Sequence, residues 1–155
     1  DPKDLVKLDV IPIMEDFVDQ KKLEYAGKFR IDLKYKIDSA SVLISKMHFV
    51  EVLNNIVRNA NAHAFNPSID MQRIVEFEIT ENLYNEQIEI ICRNNGKKIE
   101  LTEEEYFQAL RKGRKSSGMG LGGFYIKNAI QQMNGDIKLI DSPGFELRIY
   151  LPLSK

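Results

Sequence analysis

Apolar residues set out the elements of this chain before any chemistry is considered. Over residues 9–26, Val10, Ile13, Met14, Phe17, Val18 and Leu23 recur at spacings of three and four. That is the stripe of an amphipathic helix, and Gly27 suits its stop. Over 28–37 the pattern changes to alternation, with Phe29, Ile31, Leu33 and Tyr35 on one face, which predicts a strand buried on one side. The run 42-VLI-44 predicts a further short strand. Ser45 stands where a helix cap belongs. It precedes a second stripe of Phe49, Val52, Leu53, Ile56, Val57 and Ala60, which Pro67 keeps from running much further. Two alternating stretches, 73–80 and 86–94, flank 81-ENLYNE-86 and read as a hairpin. Thr102 and Glu105 stand in capping-box register and predict a short, basic-ended helix over 101–113. A glycine-rich stretch leads into another helix ending near Asn134, where 134-NGD-136 turns the chain. Strands at 136–140 and 145–151, joined by 141-DSPG-144, close the sequence. Helices interspersed among strands that gather at the end predict an α+β fold. We expect a two-layer α/β sandwich with about three helices on one face of a mixed, mostly antiparallel sheet.

The chain has 155 residues, enough for one domain with a single core. A formal net charge of -1 gives no electrostatic case for nucleic acid or an anionic membrane as partner. Cys92 is the single cysteine, which excludes an intramolecular disulfide and a multi-cysteine metal site and fits a reducing compartment. No apolar run reaches the ~20 residues of a membrane helix, and no signal peptide is evident. The opening 1-DPKDLVKLDV lacks a starting methionine, so a piece of a longer protein is expected.

Three constellations could carry chemistry. In 51-EVLNNIVRNANAHAF-65, Glu51, Asn55 and Asn59 are four apart and share one helix face beside the apolar stripe. Asparagine is a poor helix former, so its recurrence suggests that the carboxamides are wanted; a plain solvated face is the competing reading. In 91-ICRNNGKKIE-100, pleat alternation puts Asn94 on the face of Ile88, Ile90 and Cys92, toward the helix layer, where an amide needs a partner. Taken alone, this stretch is better read as an Asn-Gly turn, with Gly96 where the turn requires it. In 115-KSSGMGLGGFYIKNAI-130, Gly118, Gly120 and Gly122 alternate and open a helix, whose unpaired N–H groups and dipole favour an anion. The preceding 111-RKGRK-115 supplies cations. A dinucleotide fingerprint would have to follow a first strand and precede a parallel βαβ unit, and here it does neither.

In this order the motifs resemble the ATP-binding domain shared by sensor histidine kinases, gyrase-type ATPases and related chaperones, the Bergerat-type fold. The resemblance spans nearly the whole chain. It rests on 54-NNIVRNANAHAF-65 as asparagine box, 94-NNGKKI-99 as first glycine box, 118-GMGLG-122 as second, and the closing strand 144-GFELRIYLP-152. It implies that Asn59 coordinates a Mg²⁺ ion bridging the nucleotide phosphates. A neutral amide oxygen suits that hard cation and adds no repulsion to a polyphosphate. Asn55 would support the phosphates. It cannot be the glutamate-like base of the hydrolysing branches, which favours a kinase. His63 would sit beside the nucleotide, although a structural role at the helix end is an equal reading. Asn94 and Gly96 would meet the adenine. Lys115, Gly118, Met119, Gly120, Leu121 and Gly122 would meet the phosphates, and 101–117 would be the lid.

Three departures bear on this reading. Asn94 replaces the family's aspartate, which implies weaker binding and poorer discrimination against guanine. Lys98 replaces the second glycine of the first box, which removes a backbone freedom near the base. Gly123 stands where leucine is usual and is expected to loosen helix packing.

The implied activity is that of an ATP-dependent protein histidine kinase using ATP and Mg²⁺. It would serve a histidine on a dimerisation domain of the same full-length protein, with a response regulator downstream. His48 and His63 are poor acceptors, so no autophosphorylation is expected of this chain alone. No nucleic acid and no direct membrane contact are expected, and a cytoplasmic setting is, including the cytoplasmic part of a membrane-bound sensor. The alternatives are an anti-sigma-type serine kinase and a degenerate nucleotide site kept as an interaction module.

Overall fold

The computed structural model describes residues 5–65, 72–108 and 119–154. Its elements in chain order are β1 (Val6–Asp9), α1 (Val10–Glu24), β2 (Arg30–Tyr35), β3 (Ser41–Ile44), α2 (Lys46–Asn59), a π-helical turn (Ala60–Ala64), β4 (Ile74–Asn82), β5 (Gln87–Asn94), α3 (Glu103–Phe107), α4 (Met119–Gln132), β6 (Asp136–Leu139) and β7 (Phe145–Pro152). The main sheet has five strands in the order β2-β4-β5-β7-β6. Only β2 and β4 run parallel; the other pairs are antiparallel. The helices cover one face, giving the α+β sandwich that the patterning predicts.

Register explains the core. The cross-strand rows Val75–Asn94–Phe145, Phe77–Cys92–Leu147 and Ile79–Ile90–Ile149 all face the helices. Every side chain in them is buried, and Phe77, Ile90, Cys92, Leu147 and Ile149 lose all exposure. Each such aliphatic or aromatic side chain contributes roughly 1.5–3 kcal/mol. From the helix layer, α1 supplies Val10, Met14, Phe17 and Val18, and α2 supplies Phe49, Val52, Leu53, Ile56 and Val57. Phe17 meets Phe77 edge-on with centroids 6.0 Å apart.

The caps lie where local chemistry puts them. Ser45 Oγ accepts from His48 N at 3.4 Å. Thr102 and Glu105 close both halves of a capping box. Asp9 Oδ1 accepts from Ile11 N and from Ala40 N, both at 3.0 Å, so it starts α1 and pins the loop that leads into β3. Such a cap is worth about 1 kcal/mol.

Two expectations are corrected, and two features add to the predicted pattern. The first helix is 10–24 rather than 9–26, and Leu23, which fits its spacing, is 82% exposed. Strand β1 is absent from the pattern, since its four residues are too few for alternation to register. The short strand predicted at 42–44 is present as β3, which stands outside the main sheet and pairs antiparallel with β1. Helix α3 stops at Phe107, since Gln108 is extended (φ -67, ψ 143), where 101–113 was expected. Tyr106 and Phe107 are buried at that point, and tertiary packing overrides helical propensity there. The basic end expected for this helix lies outside the described residues.

Candidate functional site

Between α2 and the end of β5 lies a half-open cavity of about 410 Å³. Its floor is apolar (Ile56, Ala60, Ala64, Ile99, Leu101 and Phe145) and its polar wall is Asn59, His63, Asn94, Lys97, Lys98, Glu100 and Glu105. An apolar slot with a few placed polar groups suits a flat, heteroatom-bearing ligand.

Helix geometry delivers the first wall. The last turn of α2 widens into a π turn at Ala60–Ala64, a distortion often found at functional sites. Ala64 O accepts from Lys97 N at 2.7 Å. A Cβ on Gly96 would lie 2.4 Å from that same oxygen, so only glycine lets the end of β5 approach the π turn so closely.

Asn94 fulfils both of its sequence readings. It is 9% exposed within an otherwise apolar row, and its Oδ1 accepts from Gly96 N at 2.9 Å. The turn is therefore real, and the turn is also the pocket wall. With Oδ1 engaged, the remaining polar group of Asn94 is an NH₂ donor, where an aspartate would keep a second acceptor oxygen. Lys98 does not fill the slot. Its ammonium pairs with Asp141 at 2.7 Å, with the side chains 55% and 88% exposed, so it stands at the rim.

The opening of α4 completes the arrangement. A Cβ on Gly122 would sit 3.3 Å from Asn55 Oδ1 and 3.3 Å from Asn59 Nδ2. The second glycine box is thus seated against both asparagines of the first helix motif. Asn55 Nδ2 donates to Glu51 O at 2.9 Å, which turns its oxygen toward α4. Glu51 pairs with Arg58 at 2.8 Å and is occupied structurally. Asn55, Arg58, Gly122 and Tyr125 line a second, shallower concavity beside Gly122, and Tyr125 Oη and His48 Nδ1 lie 2.9 Å apart, tying α4 to α2. Met119, Gly120 and Leu121 form the first turn of α4. Lys115 and Gly118 lie outside the described residues.

Gly123 overturns an expectation. A Cβ there would fall 1.8 Å from Tyr106 O and 3.1 Å from its ring. Its bare backbone is the notch into which α3 packs, so it tightens the helix layer where loosening was expected. Glu103 holds the other end of α3, accepting from Leu139 N at 2.8 Å on β6.

Sequence reasoning missed Ile99, Leu101 and Phe145 as pocket floor, and Tyr106 altogether. The first three could have been found as the apolar residues flanking the polar motifs. Tyr106 carried no signal.

A cation would fit among these groups. Asn59 Nδ2 is sealed from solvent without a hydrogen-bond partner among the described residues, so it is the donor end of this amide that turns inward. Neutral oxygen donors suit Mg²⁺.

A helix opened by glycines and seated on an asparagine-bearing helix, beside an apolar slot, is the ground plan of a nucleotide-binding α+β domain. The chain belongs to the histidine kinase-, DNA gyrase B- and HSP90-like ATPase family, whose model matches residues 45–155. Among characterised proteins none matches by sequence. In fold it is similar to the ATP-binding domain of PrrB from Mycobacterium tuberculosis, at TM-score 0.76 and 17% identity, covering 98% of this chain and 99% of that one. The nucleotide-free catalytic domain of the histidine kinase ThkA is similar at TM-score 0.76 and 16% identity, covering 96% and 95%. The Acinetobacter baumannii histidine kinase AdeS gives 0.72 and 14%, covering 97% of this chain and 68% of that one. Among the described residues no helix is long and apolar enough to cross a membrane.

Proposed function

We propose that this domain binds Mg·ATP and presents the γ-phosphoryl group to a histidine on a separate dimerisation domain, as the catalytic part of a sensor histidine kinase. The observation that carries the reading is the seating of Gly122 against Asn55 and Asn59 beside the apolar slot. Ile99, Leu101 and Phe145 would sandwich the base, while Asn94 reads its edge. Asn59 would hold the metal and Asn55 the phosphates, with His63 at the pocket edge. Bound Mg²⁺ would neutralise the phosphates and orient them. The chain's own residues contribute position and excluded water, which is most of what phosphoryl transfer asks of a protein. No carboxylate stands at position 55 to activate water, which favours transfer over hydrolysis.

In this reading 101–117 covers the nucleotide, and Lys115 with Gly118–Gly122 contacts the phosphates. The acceptor histidine lies on another domain, a response regulator acts downstream, and the setting is cytoplasmic. His48 is engaged with Tyr125 and His63 lines the slot, so neither serves as acceptor, and the chain alone does not autophosphorylate.

Calorimetric titration of ATP with and without Mg²⁺ tests this. Binding should strengthen with Mg²⁺, and Asn59→Ala should remove that gain, about tenfold for one charge-assisted contact. No binding at millimolar ATP would leave the fold as an interaction module.

A further inference from the structure

Among the described residues, two of the three buried polar atoms without a hydrogen-bond partner, those of Asn59 and Tyr106, face each other. Asn59 Nδ2 and Tyr106 Oη are both sealed from solvent without a hydrogen-bond partner among the described residues. Consecutive glycines bring them together. Gly122 abuts the Asn59 amide, and Gly123 receives the backbone and ring of Tyr106. Tyr106 has no exposed surface and is wedged between Phe107 and Phe145, with ring centroids 5.2 and 6.1 Å away.

A phenylalanine would fill this space without an orphaned hydroxyl. Burying an unpaired hydroxyl is costly, and such groups in native structures call for an explanation. The chemistry of the pair supplies one. The amide NH₂ only donates, and a phenol oxygen can accept. The Asn59 side chain lies within reach of the phenol as a hydrogen-bond partner, although the two do not meet in bonding geometry.

We propose that Tyr106 is the positioning residue for Asn59: when Mg·nucleotide enters, Asn59 Nδ2 donates to Tyr106 Oη and the amide oxygen is fixed for the metal. The inference rests on the nucleotide reading above. It makes α3 part of the site's support, reached through the Gly123 notch, although Tyr106 touches neither nucleotide nor metal.

The test is Tyr106→Phe, followed by thermal unfolding and by ATP titration in Mg²⁺ and in EDTA. The free variant should melt at or above the wild type, since it loses only an unpaired hydroxyl. Its affinity in Mg²⁺ should fall about fivefold, the equivalent of one hydrogen bond, with the difference between the two proteins confined to the Mg²⁺ titration. A loss of equal size in EDTA, or a free variant that melts clearly lower, would overturn the proposal, because the hydroxyl would then serve the fold. Wild-type protein that shows no Mg²⁺-dependent binding overturns the nucleotide reading and this inference with it. Wild-type binding matched by the variant in Mg²⁺ overturns this inference alone.

Discussion

The two faces of the central sheet treat polar groups in opposite ways. On the outer face, Arg93 reaches Glu76, Glu78 and Glu146 at 2.8, 3.0 and 3.2 Å. Arg148 continues the ladder to Glu146 at 2.7 Å and Glu89 at 3.7 Å. These charges are all paired with one another and partly solvated. On the inner face the buried polar groups are few and neutral, with charges only at the pocket mouth, and two of the buried groups, Asn59 Nδ2 and Tyr106 Oη, have no partner among the described residues. A face whose charges satisfy one another has little left to offer a ligand. A face with orphaned amides among apolar walls holds its hydrogen-bonding capacity in reserve. The contrast points to the site on the side with fewer charges.

The inner face is also the less forgiving one, and the largest effect should appear there. Gly123→Ala drives a methyl group into Tyr106 O. We expect a loss of about 3 kcal/mol, the upper part of the range for overpacking, read from urea unfolding. A loss below about 0.5 kcal/mol, typical of an indifferent surface position, would mean that α3 is not locked into α4. Arg93→Met strips one partner from three carboxylates on a part-solvated face. It should cost only about 1 kcal/mol in the same measurement, which puts the charge ladder well below a single glycine in importance.

How much of this was legible in the sequence depends on whether the cause is local. The caps at Ser45 and Thr102 were readable because each partner lies within three residues. The inward aim of Asn94 followed from pleat parity alone. Gly123 was misread because its reason is Tyr106, a residue of another helix, and no spacing rule links the two. Tyr106 itself looked like one more aromatic in a capped helix. The pairing of Lys98 with Asp141 was not legible because it joins two loops distant in sequence. Of the β1–β3 ribbon only β3 was legible, as an apolar run; β1 escaped notice since a four-residue strand carries too little alternation to register.

Asn94 allows a sharper cut within the inner face. Asn94→Asp would keep one oxygen on Gly96 N and gain a second acceptor in place of the NH₂. Paired titrations should show ATP tightening relative to GTP by about 1 kcal/mol, the increment for a charge-assisted bond. If the ratio does not move, the exposed edge of Asn94 does not read the base.

The outer ladder should reveal itself in acid. Glu76 is held below its ordinary value of 4.5 by the Lys34 ammonium first and Arg93 next, against the opposing effect of burial. For Glu146 burial pushes upward, but hydrogen bonds from Arg148 and Arg93 outweigh it and the net shift is again downward. A lowered folded value means that these groups bind protons more weakly when folded. Their contribution is complete above the unfolded carboxylate value and disappears as pH falls through the folded one. Glu76→Gln and Glu146→Gln should therefore flatten the fall in melting temperature below about pH 5, each removing less than about 1 kcal/mol at neutral pH. An unchanged acid limb would show that the ladder is decoration.

The smallest effect belongs to Lys98, and it tests whether the rim has been assigned to the correct face. Its partner Asp141 is 88% exposed, and solvent screens such a pair. Asp141 is pulled below its ordinary range by Lys98, yet so open a bond constrains neither loop. Lys98→Ala should leave the melting temperature where it is and change ATP affinity by no more than about twofold, in line with exposed ion pairs. A marked tightening would mean that the side chain swings into the slot and competes with the base. A marked loosening would make its ammonium part of the binding wall. Either result would give Lys98, which already lines the slot, a part in binding that its open pairing with Asp141 does not predict.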